Sequence, residues 1–327
     1  MSQRHHSNLK NIISLTLVIV LLVLSAIGWY WSQEPDLKPI ATDRNKPLVI
    51  GSTTTQALVD IINTLLDKPG GYLRNDMLMP PSIFLDNMPN WEYGALIQAR
   101  DMSRALRNDF SRSQTQSTED QALRESESKL NVDDQAWMFP AAETEYRQSA
   151  TTLEDYLDRL SDTDSPDAQF YARADNLNAW LSLVEKRLGS LSQRLSASVG
   201  KPRLNTDLAG DTAAAQSTAG KMEVMSKTPW LEIDNVYYEA RGATWALIQL
   251  LRAVEVDFKY VLEKKNATVS LKQIIRELEG TQESLWSPVV LNGSGFGIFS
   301  NHSLVMASYI SRANAAVIEL RSLLADG

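Results

Sequence analysis

The sequence predicts a mainly α protein: a single N-terminal transmembrane helix followed by an antiparallel helical bundle. Three observations carry that class. Residues 12–31 form one uncharged apolar run. Three later stretches alternate apolar residues at four- and three-residue spacing, the pattern of a helix with one buried face. Only the stretch near 289–299 has a strand-like character.

The first element is "NIISLTLVIVLLVLSAIGWYW", residues 11–31. At about 1.5 Å of rise per residue such a run crosses a hydrocarbon core of roughly 30 Å. Trp29, Tyr30 and Trp31 close it as an interfacial aromatic belt, and the hydroxyls of Ser14, Thr16 and Ser25 can bond back to the helix backbone. A cleaved signal peptide is the competing reading, with Ala26 and Gly28 as a small-residue pair. The run is longer than a signal core and ends in aromatics, which favours an anchor. Arg4 and Lys10 precede the span while Glu34 and Asp36 follow it, so the short tail is expected in the cytoplasm, although Lys38, Arg44 and Lys46 blur the asymmetry. Residues 33–54, with Pro35, Pro39 and Pro47, read as an extended linker.

Helical stripes follow. Leu58, Ile61, Ile62, Leu65 and Leu66 line a short helix stopped by "DKPGG"; Ala95, Ala99, Met102 and Leu106 mark the next; Leu153, Leu157 and Leu160 another. The clearest repeats run from Phe170 to Leu195, from Ala240 to Val261 and from Met306 to Leu324. A seven-residue repeat keeps one seam facing a partner, either in an intermolecular coiled coil or within one chain. The seams stop at turn formers after about four heptads, which favours an intramolecular bundle. Residues 200–229, rich in Gly, Ala, Ser and Thr, read as a long mobile loop between two helices. At 289–299, Val289 to Leu291 and Phe296 to Phe299 flank a Gly-Ser-Gly turn; a small β-hairpin and an irregular glycine-rich loop fit equally.

Composition narrows the chemistry. The 327-residue chain has a formal net charge of -8, which argues against non-specific nucleic-acid binding. It has no cysteine and three histidines, of which His5 and His6 lie in the N-terminal tail, so no metal site and no cofactor are expected. "NGSGFG" lacks both a Gly-Lys-Ser ending and a βαβ setting, so Gly293, Gly295 and Gly297 read as turn glycines rather than a phosphate cradle. His302 falls in "SNHS", which opens the last helix with Ser300 or Asn301 as its cap.

Two stretches could carry function. "GGYLRNDMLMPPSIFLDNMPNWE", residues 70–92, holds the acids Asp76, Asp86 and Glu92 among Tyr72, Phe84 and Trp91. Paired carboxylates roughly 5–9.5 Å apart hydrolyse glycosides, and aromatics stack on sugars. Asp and Asn beside Pro and Gly are also ordinary turn chemistry, so a rigid corner is the preferred reading and an exposed contact surface the second. "RDMSRALRNDFSRSQTQSTED", residues 100–120, puts Arg100, Arg104 and Arg107 on one helix face, able to hold a phosphate, a headgroup or an acidic partner. Asp101, Asp109, Glu119 and Asp120 are close enough in sequence to neutralise it internally. The expected binding surface is therefore Tyr72, Arg74, Trp91, Tyr93, Arg100, Arg104 and Arg107, with Tyr237, Tyr238 and Trp245 added if they are not core.

These two stretches, with "VYYEARGATWALIQLLRAVEVDF" and "VVLNGSGFGIFSNHSLVMASYISRANAAVIELR", resemble the signature blocks of a family of uncharacterised bacterial proteins, catalogued as a domain of unknown function with an N-terminal membrane span. The resemblance implies a Gram-negative inner-membrane protein with a periplasmic helical domain, and brings no catalytic residues with it. The expected organisation is then a cytoplasmic tail at 1–10, a transmembrane helix at 11–32, the linker at 33–54 and a periplasmic domain at 55–327. The expected role is a non-enzymatic scaffold or binding module, held in the bilayer by residues 12–31 and meeting an envelope protein partner. The alternative is a periplasmic carboxylate-dependent hydrolase of glycan or peptidoglycan, using carboxylates among Asp76, Asp86, Glu92 and Asp101.

Overall fold

The structure is a computed structural model that describes residues 2–39, 49–76, 80–113, 118–162, 167–204, 223–287, 289–295 and 297–326. Its class is mainly α. Helix α1 (Ser2–Trp31) contains Asn11–Trp31, one helix long and apolar enough to cross a membrane, with a mean hydropathy of 2.7. Thr16 Oγ1 donates to Ile12 O at 2.9 Å, returning its hydroxyl to the backbone.

The domain beyond it comprises α2 (Ser52–Asp67), α3 (Asn87–Ala105), α4 (Gln121–Leu130), α5 (Ala142–Ser161), α6 (Ala174–Ser196), α7 (Ile233–Asp257), α8 (Lys259–Lys264), α9 (Thr268–Glu279) and α10 (His302–Ala325). Helix α2 ends where Gly70 and Gly71 both take positive φ, a conformation open to glycine without cost. Helix α4 is capped by Asp120, which accepts from the amides of Ala122 and Leu123.

Helix α7 is the axis. Its apolar residues are buried on all sides, as expected for a helix surrounded by others. Helices α3 and α7 run side by side in the same direction. The Asp86 charge acts on Asp234 at one end, and Phe110 packs on Phe258 at the other, ring centres 5.2 Å apart. Glycine makes their close approach possible: a Cβ on Gly94 would lie 2.0 Å from Glu239 O, and one on Gly242 would lie 1.8 Å from Trp91 O. Around this parallel pair the neighbours alternate. Helix α2 runs against α7, with Thr54 bonded to Asp257. Helix α6 runs against both, pairing Arg187 with Asp101 and Arg194 with Glu239. Helix α10 opposes α6 through Arg321 to Asn178 at one end and Ser192 to Ser311 at the other. Helix α9 opposes α10, with Glu277 bound to Arg312.

The seven-residue seams are buried inside this one chain. Leu177, Leu181, Val184, Leu188, Leu191 and Leu195 of α6 face α10, whose Met306, Ile310, Ala313, Val317, Leu320 and Leu324 are likewise buried. No second copy is needed to cover them. Two loops gain detail, and at 289–299 the irregular loop is the one of the two open readings that the structure adopts. The described ends of the 200–229 stretch are strands, β1 (Lys201–Leu204) and β2 (Glu223–Ser226), paired antiparallel; residues 205–222 lie outside the described residues. At 289–299 the described residues form no strand pair. A single bridge joins Asn292 to Asn301, and side chains tie the loop in place of a ladder. Asn301 Nδ2 donates to Gly293 O and Ser303 Oγ to Asn292 Oδ1, while Leu291 N donates to His302 Nδ1. Phe296 lies outside the described residues.

Residues 33–39 after α1 are without helix or strand and are clamped, and the expected linker ends early because α2 begins at Ser52. Arg241 of α7, buried, holds the Glu34 carboxylate through Nη2 at 2.7 Å and Nε at 2.9 Å. It also donates to the carbonyls of Thr281 and Glu283. Trp245 Nε1 donates to Asp36 O, and Lys38 Nζ to Thr64 Oγ1. Residues 40–48 of the expected linker lie outside the described residues.

Candidate functional site

The corner at 68–76 is organised by one carboxylate. Glu92, one turn into α3, is fully buried and receives the amide of Leu73 at 2.9 Å, the amide of Arg74 at 2.8 Å and the Lys68 ammonium at 2.5 Å. Lys68 also donates to Gly71 O at 2.5 Å. Burial pushes the Glu92 carboxyl above the usual carboxylate range, opposed by Lys68 and the two amides. A charge placed there is tolerated because its partners are complete, and the reward is a fixed path for the Gly70–Gly71 turn.

This geometry removes Glu92 from the acid pair considered for hydrolysis: it is closed off from solvent and satisfied on every side. Asp76 is half-buried near Glu143, burial first and that neighbouring charge second holding its carboxyl above the ordinary range. Asp86 precedes α3 and makes no side-chain cap. Met77 to Met79 lie outside the described residues. Among the described residues no group of three or more His, Asp or Glu side chains could hold a metal ion.

The expected contact aromatics are core. Trp91 is fully buried, its ring 4.9 Å from Trp245. Tyr72 is buried edge-on to Tyr146, and its hydroxyl donates to Asp134 O at 3.2 Å. The exposed reading of Tyr72 and Trp91 is therefore corrected. Aromatics in a proline-rich stretch resemble surface residues, yet Trp91 sits within α3 on the side facing Trp245 of α7, and Tyr72, just past the Gly70–Gly71 turn, packs on Tyr146 of α5. Trp245 and Tyr237 are core too, as their helical spacing allows.

The arginine stripe is mostly consumed by neighbours. Arg100 Nε donates to Leu130 O at 2.6 Å and Nη2 to Val132 O at 2.7 Å, closing the end of α4. Arg107 pairs with Glu119 at 2.9 Å and Glu127 at 2.8 Å, and Arg104 with Glu127 at 3.4 Å. Internal neutralisation is what the sequence favoured, but Glu127 of α4 supplies much of it, and Asp101 turns away to Arg187. Arg74 pairs with Asp134, donates to Pro89 O and lies over the Tyr93 ring at 4.2 Å.

Tyr93 and Arg104 also line a groove of about 510 Å³ between α3, α6 and α7. Its floor is the close contact at Gly94. Its far wall is cationic: Lys186, Arg187 and Arg194 of α6 face Asp101 and Glu239. Arg194 grips Glu239 bidentately at 2.6 and 2.7 Å, and Arg187 grips Asp101 at 2.7 and 3.1 Å. Four cations and two acids line the groove; Arg187 and Arg194 are matched by Asp101 and Glu239, and Arg104 also reaches Glu127 outside the lining, so the surplus positive charge is small and centred on Lys186. The α6 cations went unnoticed in the sequence, where that helix was read for its leucine seam. Their spacing, "EKR" and "QR" seven residues apart, was the available signal.

The family model described as an uncharacterized protein conserved in bacteria (DUF2333) matches residues 4–327. The chain belongs to this family. The match spans α1, the corner, the groove and the closing helix together, so the apolar helix and the domain clamped to it are one family unit. No curated protein and no solved structure matches the chain.

Proposed function

We propose that the protein is a single-pass, membrane-anchored envelope protein whose helical domain is a non-enzymatic binding module. In this reading α1 sits in the bacterial inner membrane with its N-terminus in the cytoplasm, and the domain projects into the periplasm. The observation that carries the binding role is the positive groove between α3, α6 and α7. Guanidinium groups held in place by bidentate carboxylates offer a preorganised cationic wall, and the Tyr93 ring gives it an apolar edge. The partner that suits it is an acidic segment of another envelope protein.

The hydrolase alternative draws less support, because Glu92 is locked in a buried clasp and Asp101 is already spoken for by Arg187. Site-directed crosslinking in cells tests the reading. A single cysteine at Ser190 should capture a partner, the capture should fall several-fold with K186E and R104E, and it should survive K264E, which lies in α8 outside the groove lining. Capture indifferent to groove charge, or glycan cleavage by the purified full-length protein, would overturn it.

A further inference from the structure

The large apolar side chains that remain exposed outside α1 are unevenly placed: Ile50, Tyr260 and Val269 are open at the end remote from α1, and the larger set lies at the α1 end. Phe84, Phe139, Trp230, Trp286, Ile298 and Phe299 all stand open; Trp286 is 97% and Ile298 100% exposed. Each belongs to a connection at one end of the bundle. Phe84 lies before α3 and Trp230 before α7, two helices that start together. Trp286 follows α9 and Phe299 precedes α10, where His302 meets the ring of Tyr237 near the start of α7. Phe139 closes the loop whose Ala136 carbonyl receives Asn75 of the corner.

That end is also where α1 leaves. Trp31 packs on Gly70, and a Cβ on Gly28 would lie 3.6 Å from Pro81 Cβ and 3.8 Å from Leu85 Cδ2. On α1, Leu24, Ile27, Gly28 and Trp31 form the covered stripe while the faces around them are open. From Leu24 to Trp31 is about 10 Å along a helix axis. The 80–85 turn therefore reaches down beside the last two turns of the apolar helix, instead of stopping at its end. The domain cannot swing clear of that position, because Glu34 is bound to buried Arg241 and Asp36 to Trp245.

We infer that this end of the domain is seated in the bilayer interface, with Phe84, Trp286 and Ile298 inserted around the exit of α1. The inference rests on the anchored reading of α1 given above. A bilayer that accepts α1 up to Trp31 places its interface at the level of Pro81 and Leu85, and the rim beside them carries the aromatic residues that favour that zone. Exposed apolar clusters of this kind are otherwise uncommon on a soluble surface. The acids Asp86 and Asp234 share the rim, so apolar insertion and not attraction to anionic headgroups drives the contact.

The chain has no cysteine, so single-cysteine variants report position cleanly. Full-length I19C, F84C, I298C and Y260C, each carrying an environment-sensitive fluorophore, are reconstituted in phosphatidylcholine vesicles. Quenching is read from nitroxide lipids labelled near the headgroup or deep in the acyl chain, and from aqueous iodide. Residue 19 should be reached by the deep nitroxide. Residues 84 and 298 should be reached by the shallow nitroxide and lose several-fold in iodide access relative to residue 260, which lies at the opposite end. Iodide access at 84 and 298 equal to that at 260, with residue 19 still in lipid, would overturn the seating alone. Shielding of 84 and 298 from lipid and iodide alike, growing with protein density, would assign the rim to a second copy and equally overturn it. A residue-19 probe beyond the reach of lipid would overturn the anchored reading and the seating together.

Discussion

At the end of the domain remote from α1, Phe110, Phe170 and Phe258 turn inward and meet ring to ring at 5.2 to 5.7 Å, whereas at the α1 end Phe84, Trp230 and Trp286 stand in the open. The two ends are also closed by different acids. Remote from α1, Asp257 takes the amide and hydroxyl of Thr54, both at 2.6 Å, at the start of α2, where a helix N-terminus favours negative charge. Near α1, Glu92 is closed by an ammonium as well as by amides. The lesson is one of degree: the remote end turns its phenylalanines inward and leaves Ile50, Tyr260 and Val269 open, while the α1 end is internally rigid and carries the larger set of exposed apolar side chains. Rigidity without a polar cover is what a surface meant to be covered requires.

Breaking the ion pair near α1 should produce the largest effect. Glu92→Gln leaves the Lys68 ammonium buried and unpaired, which costs about 3–5 kcal/mol by denaturant unfolding in detergent. The double variant K68M/E92Q keeps an acceptor for the two amides and should recover most of that loss. At the opposite end, Phe110→Ala empties the ring cluster and should cost about 3–5 kcal/mol. Phe84→Ala in the same assay should stay within about 0.5 kcal/mol, since Phe84 is 76% exposed in the folded domain. Equal losses from the two phenylalanines would erase the contrast between the ends.

Asp257→Asn sharpens the comparison of the two acids. No cation is stranded and an acceptor oxygen remains, so the cost should be about 1 kcal/mol. Burial raises the Asp257 carboxyl above its ordinary 3.8, outweighing its bonds to Thr54, so the folded state holds that proton more tightly than the unfolded chain does. Its contribution is full below 3.8 and is lost as pH rises through the raised value. The Asn variant should therefore show a flatter stability profile across that window, measured by denaturant midpoints against pH.

The smallest effect belongs to His302. Burial lowers its value below 6.5, and its Nδ1 accepts the Leu291 amide, a bond the protonated ring cannot make. The unfolded chain takes up the proton first, so the contribution is full above 6.5 and declines as pH falls from there toward the lowered folded value. Hydrogen exchange at the Leu291 amide should accelerate over that range, while exchange in α7 stays constant.

How much was readable beforehand varies with the kind of constraint. The seams of α6, α7 and α10 were legible because burial of a helix face imposes a spacing on the chain. Helices α4 and α9 escaped notice: both are short, Ser126 and Glu127 interrupt the buried face of α4, and the unbroken face of α9, Leu271, Ile274, Ile275 and Leu278, was a signal passed over. The cap of the last helix was narrowed to Ser300 or Asn301 because capping is local, and Asn301 fills it. Glu92 was noticed for its charge and misjudged in its setting, since its three partners lie eighteen to twenty-four residues back along the chain. The groove needed α3 and α6 brought together, a pairing that nothing in either helix announces.

By itself the sequence determined the apolar helix at residues 11–31, the helical class and the faces to be buried, because these follow from the spacing of oily residues along a single backbone. Only the tertiary structure decided that α3 and α7 lie parallel in glycine contact, that Arg241 fastens Glu34 to the domain, and that the open aromatics collect where α1 departs. Those are relations between residues far apart in the chain, and they exist only once packing has chosen which surfaces meet.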